Sequence, residues 1–117
     1  MSASAPPDGP VLLVDSRHDG AAGWVVAADG EVDLATSPRL RAALLEAIED
    51  QDRVLVDLRS VSFMDSTGIA TLLAAAEAAR HRGVELDVDP SRTVRKVVEL
   101  VGAQSALRLR PDGSAEA

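Results

Sequence analysis

The chain reads as an α/β domain: a small mixed, mostly parallel β-sheet flanked by helices. Three observations predict it. The apolar run Val54, Leu55, Val56 and Leu58 is strand-like, and after Asp65-Ser66-Thr67-Gly68 the period changes, with Ile69, Leu72, Leu73 and Ala76 at helical spacing. Strand-type and helix-type segments then alternate at short connections, which favours parallel strands joined by right-handed crossovers. Near the N-terminus, by contrast, two strand-type runs follow one another directly, so the sheet is expected to start antiparallel.

In chain order, Val11 to Val14 is a short apolar run and Arg17 to Gly23 a polar, Gly-containing break. Trp24 to Ala28 is the second strand, pairing with the first as a hairpin whose register no two-residue turn fixes. Gly30 supplies a bend, after which Val32 and Leu34 are expected to point inward and Glu31, Asp33 and Ala35 outward. Thr36 or Ser37 then caps a helix with Pro38 at its first position and an apolar stripe of Leu40, Leu44, Ala47 and Ile48. Val54 to Leu58 is expected to be a strand buried on both faces. Ser66 to Arg82 is a helix stopped by Gly83. Val84, Leu86 and Val88 alternate with Glu85, Asp87 and Asp89, the period of a half-exposed strand near a sheet edge, ended by Pro90. A third helix opens at Ser91 or Arg92 with a stripe of Val94, Val97, Val98 and Val101 and stops at Gly102. Leu107 and Leu109 suit a last short strand.

A length of 117 residues holds one domain with a real core, and its 46% hydrophobic but 2% aromatic composition means a core of Val, Leu, Ile and Ala. Residues 1–10 read as a disordered leader, 11–110 as the domain and 111–117 as a flexible tail. A formal charge of −7 argues against a nucleic-acid surface, which needs clustered Lys and Arg. Cysteine is absent, so there is no thiol nucleophile, thiolate metal ligand or disulfide. No apolar run approaches the ~20 residues that cross a bilayer, and the N-terminus lacks the features of a secretory signal, so a cytoplasmic protein without a membrane partner is expected.

The chemistry concentrates at the hinge. Asp65 is placed to cap the helix that follows, its carboxylate accepting from first-turn amides, which leaves Ser66 and Thr67 at the positive end of the helix dipole. On these grounds alone Asp-Ser-Thr-Gly is either a good helix start or the seat of a modifiable hydroxyl. A phosphate on Ser66 would lie where anions are favoured and would add about 1.5 to 2 negative charges. Asp33 is expected near the same rim, because strand ends of an α/β sheet gather there. It is either a solvated loop carboxylate or an interface residue.

The segment FMDSTGIATLL, with GEVDLATSPRLRAAL before it and GVELDVDPSRTVRKVVELVG after it, resembles the STAS domains, and in particular the free-standing anti-sigma factor antagonists. The resemblance spans about Val11 to Leu109. It implies that Ser66 is a phosphoacceptor with Thr67 the adjacent hydroxyl residue. It further implies that the unphosphorylated protein binds an anti-sigma factor, itself a Ser/Thr kinase, and so releases a sigma factor. The kinase phosphorylates the antagonist and ends the complex, and a phosphatase restores it. Asp33, Asp65, Thr67 and Gly68 are then the partner-binding candidates, Ser, Thr and Gly giving a flat corner against which a partner packs closely.

Other readings are weaker. Neither His18 nor His81 is placed to activate Ser66, and the Gly-x-Ser-x-Gly elbow is missing. There is no Gly-rich phosphate loop followed by Lys and no His or Cys cluster, so neither enzyme activity, cofactor nor metal is expected. The alternative within the same family is a stand-alone scaffold or ligand-sensing module unconnected to a sigma factor.

Overall fold

A computed structural model describes residues 11–111. The leader and all but the first residue of the tail lie outside the described residues. Among the described residues four strands and three helices follow in order: β1 (Leu12–Asp19), β2 (Gly23–Val32), α1 (Ser37–Asp50), β3 (Arg53–Met64), α2 (Ser66–Arg82), β4 (Glu85–Pro90) and α3 (Arg92–Leu100). Spatial order in the sheet is the chain order, β1 antiparallel to β2 and the other neighbours parallel. The hairpin closes over residues 20–22, and its turn is possible because Gly23 takes φ 84°, which a side chain would resist.

Because β2, β3 and β4 step across the sheet in one direction, right-handed crossovers put both connecting helices on the same face. There α1 and α2 pack on each other. That face aligns Val26, Val56 and Val88 across three strands, and Trp24, Val54 and Leu86 beside them. Leu40, Leu44 and Ile48 of α1, Ile69, Leu72 and Ala75 of α2, and Val94 and Val98 of α3 bury against it in one core. This is a two-layer arrangement.

The other face carries no helix among the described residues, which corrects the expectation that Val54 to Leu58 is buried on both sides. Leu55 and Asp57 point to that open face and are half-buried. Asp57 and Asp89 stand directly opposite each other on β3 and β4, a repulsive placement that Arg59 relieves at 2.9 Å and 3.6 Å respectively. The Arg59 hydrogen bond holds the Asp57 carboxyl below its ordinary range, outweighing partial burial. Arg108 similarly covers Asp87 at 2.9 Å.

Several expectations need correction for identifiable reasons. β3 runs on to Met64 because two extra residues are accommodated as bulges, where the register with β2 shifts between Ala27 and Asp29 and between Gly30 and Glu31. Buried positions then fall at Leu58, Val61 and Met64, a spacing that hides the strand from a period-two reading. β1 extends through Arg17 to Asp19, since an edge strand tolerates polar residues. Leu34 follows the end of β2 and is 75% exposed rather than inward. Val101 lies past the last turn of α3 and is exposed, and Leu109 forms a single parallel bridge to Val88 instead of a strand.

The contrast between two leucines is testable. Leu44→Ala should cost about 2 to 5 kcal/mol in urea unfolding because it opens a cavity in the core, whereas Leu34→Ala should stay within about 0.5 kcal/mol of the parent.

Candidate functional site

The corner between β3 and α2 is built by three contacts. Asp65, in extended backbone, caps α2: its Oδ1 accepts from the amides of Thr67 at 2.9 Å and Gly68 at 3.3 Å, and from the Thr67 hydroxyl at 2.5 Å. Its own amide donates to the carbonyl of Val32 at 3.2 Å, tying the end of β2 to the start of α2. Gly68 is buried, and a Cβ there would lie 2.5 Å from Met64 Cγ and 2.9 Å from Val32 Cγ1. Helix and strand ends approach closely only because that position has no side chain.

Ser66 occupies the first helical position and is exposed, while Asp65 and Thr67 are half-buried. Among the described residues nothing takes up the Ser66 hydroxyl or its backbone N–H. Thr67 differs from it, because its hydroxyl is committed to Asp65. The Thr67 hydroxyl, and then the Gly68 and Thr67 amides, hold the Asp65 carboxyl below the ordinary aspartate value against the opposing effect of burial. Asp65 is therefore anionic at neutral pH, immediately before a free serine.

The expected rim placement of Asp33 holds, because it directly follows Val32, whose carbonyl is bonded to Asp65. Its carboxylate is already employed: Oδ1 accepts from the amides of Ala35 and Thr36, each at 3.0 Å. The Thr36 hydroxyl accepts from the Asp33 amide at 2.9 Å and lies 2.8 Å from the Glu31 carbonyl. Thr36 thus sits at the cap of α1 without capping it through its side chain, and Pro38 is the second rather than the first helical residue. The loop into α1 is fastened by Asp33 instead.

Asp33, Asp65, Ser66, Thr67 and Gly68 gather at one rim. Of these, Gly68 is buried in the joint and offers no surface. Two residues not singled out from the sequence join the rim: Leu34, and Phe63, which is 44% exposed near the end of β3. Phe63 lies in the half of β3 where the bulges break the period-two signal. The histidines are elsewhere, His18 on β1 and His81 in the last turn of α2 against Glu77.

A family model described as the STAS domain matches residues 14–114. The chain belongs to the STAS domain family. Among relatives of this STAS domain, the anti-sigma-F factor antagonist RsfB of Mycobacterium tuberculosis is 34% identical over 108 residues, covering 91% of this chain and 84% of that protein. An anti-sigma factor antagonist from Mycobacterium paratuberculosis, solved by crystallography, matches with TM-score 0.74 at 27% identity over 92% of this chain and 91% of its own. Unphosphorylated SpoIIAA shares the fold, with TM-score 0.67 at 23% identity over 88% of this chain and 92% of that one.

Two substitutions probe the corner of this STAS domain. Gly68→Ala should cost about 1 to 3 kcal/mol by overpacking against Met64 and Val32, measured by chemical denaturation. Asp65→Asn, which keeps a capping side chain but removes its charge, should cost about 0.3 to 1 kcal/mol near neutral pH. Since the folded-state carboxyl titrates below its unfolded value, the Asp65 contribution is complete above about pH 4 and fades as acid carries the folded chain through that lowered value. Stability of the parent should therefore fall toward that of Asp65→Asn in an acid titration, the difference closing at low pH.

Proposed function

We propose that the chain is an anti-sigma factor antagonist whose partner choice is set by phosphorylation of Ser66. The observation that carries this reading is an exposed, uncommitted serine hydroxyl held on a rigid strand-to-helix corner, in a member of the STAS family whose relatives are named antagonists. The unphosphorylated protein binds an anti-sigma factor that is also a Ser/Thr kinase, and sequestering it frees a sigma factor. The kinase supplies nucleotide, Mg²⁺ and catalytic groups, so this chain contributes a positioned acceptor and no catalysis of its own. A phosphatase reverses the modification, and the exchange takes place in the cytoplasm.

The geometry supports a switch by charge. Leu34 and Phe63 give the rim apolar contact area, and Ser66 lies with them where a partner packs closely. After transfer, the phosphate adds about 1.5 to 2 negative charges beside the Asp65 carboxylate. The unpaired amide of Ser66 and the dipole of α2 keep the phosphorylated fold stable, whereas the interface, formed around a neutral hydroxyl, meets repulsion and desolvation. A cost of about 3 kcal/mol lowers affinity roughly a hundredfold.

Reconstitution with the cognate kinase tests this. Ser66→Ala should take up no phosphate yet bind the kinase as the parent does, and Ser66→Glu should bind roughly a hundredfold more weakly at an unchanged melting temperature. Stoichiometric phosphorylation of Ser66→Ala would show that the acceptor lies elsewhere.

A further inference from the structure

The two edges of the sheet are finished differently. Beyond β4, residues 108–110 close the ladder: the Val88 amide donates to the Arg108 carbonyl at 2.8 Å and the Arg110 amide to the Val88 carbonyl at 2.7 Å. Pro90 ends that strand. Among the described residues β1 has no such cover. It is eight residues long, contains no proline, and pairs with β2 from Leu12 opposite Gly30 to Asp19 opposite Gly23 without a register shift. Among the described residues its backbone bonds to nothing but β2, and Val11 and Leu13 at its start are 46% and 63% exposed. A straight, unbroken edge of this length is a template for another strand.

The side chains of β1 say which strand fits. Asp15 and Arg17 lie two residues apart on the open face of the sheet, 3.2 Å from one another, with side chains 70% and 48% exposed. We propose that β1 pairs antiparallel with β1 of a second copy of this chain, about a two-fold axis at Ser16, joining two four-stranded sheets into one of eight strands. In that register Asp15 of each copy stands opposite Arg17 of the other, and with the bonds inside each strand the four groups form a checkerboard of alternating charge. Leu13 faces Asp19, and Val14 faces His18 on the helix-covered side. Centring the axis on Asp15 or on Arg17 instead sets like charges directly opposite, which is unfavourable. The register centred on Ser16 thus pairs nearly the whole strand and satisfies its charges. A contact confined to one strand per copy is small, so the dimer is reversible and concentration-dependent.

Sedimentation of the purified chain over a concentration series, with hydrogen exchange of the β1 amides, tests the arrangement. Self-association is expected, with slowed exchange along β1. Asp15→Arg places four positive charges at the seam and Arg17→Asp four negative ones. Each alone should weaken association at least tenfold, while an equimolar mixture of the two variants should associate. The combined Asp15→Arg, Arg17→Asp chain should recover the parent's behaviour. Because these positions are exposed, thermal melts of every variant should match the parent, separating lost pairing from lost folding. Ser66→Ala should associate normally, which keeps this result apart from that of the phosphorylation reading. A chain that stays monomeric at its highest soluble concentration, or one whose association ignores the single charge reversals, would overturn the proposal.

Discussion

One joint holds the functional end of the molecule together: the place where β2, β3 and α2 meet at Val32, Met64, Asp65 and Gly68. The amide of Asp65 reaches Val32 while its carboxylate closes the first turn of α2, so a single residue connects a strand end to a helix start through both backbone and side chain. Gly68 lets the helix approach until its backbone rests on Met64 and Val32. Ser66 lies between these two fixed points. Its exposure is therefore not that of a loose loop residue: Ser66 is presented at a fixed place on the rim.

The same economy explains the one-sided sheet. Two crossovers of one hand that advance in one direction stack α1 and α2 on a single face, and α3 joins the same core through Val94 and Val98. An apolar interior is then needed on one side only, which suits a chain with one tryptophan, one phenylalanine and no tyrosine. The uncovered side is stabilised differently, by arginines laid across acidic residues of β3 and β4. Among the described residues nothing covers that side or the β1 edge, while the Ser66 rim belongs to the end of the sheet where β2 and β3 terminate.

How far these features can be read from the residues depends on whether a periodic signal survives. The stripe of α1, the start of α2 at Ser66 with its Asp65 cap, its Gly83 stop and the alternation of β4 are all visible because each follows a regular spacing or a capping rule. The second half of β3 is not, since two bulges shift its buried residues from every second to every third position. Phe63 falls within that irregular half of β3, and Leu34 is turned outward by the loop that Asp33 fastens, so the apolar part of the rim is hidden in the sequence while its polar part, Asp33 and Asp65 to Thr67, is legible. Gly68 is a partner-binding candidate as part of a small, flat corner, yet its position in the joint is a matter of close approach that spacing alone does not reveal.

The division between Ser66 and Thr67 bears on the proposed acceptor, because local structure treats two adjacent hydroxyls differently. The Thr67 hydroxyl donates to Asp65, and its loss would leave the cap one hydrogen bond short as well as raise the carboxyl's pKa. Modifying Thr67 would set a phosphate against the carboxylate that holds the helix start. Among the described residues Ser66 has no such duty. In the proposed switch a phosphate is added to Ser66 and removed from it without disturbing the bonds of Asp65 and Thr67, so the fold stays constant while the charge presented at the rim changes. A reversible signal needs that separation, with one residue bearing the modification and its neighbours bearing the structure.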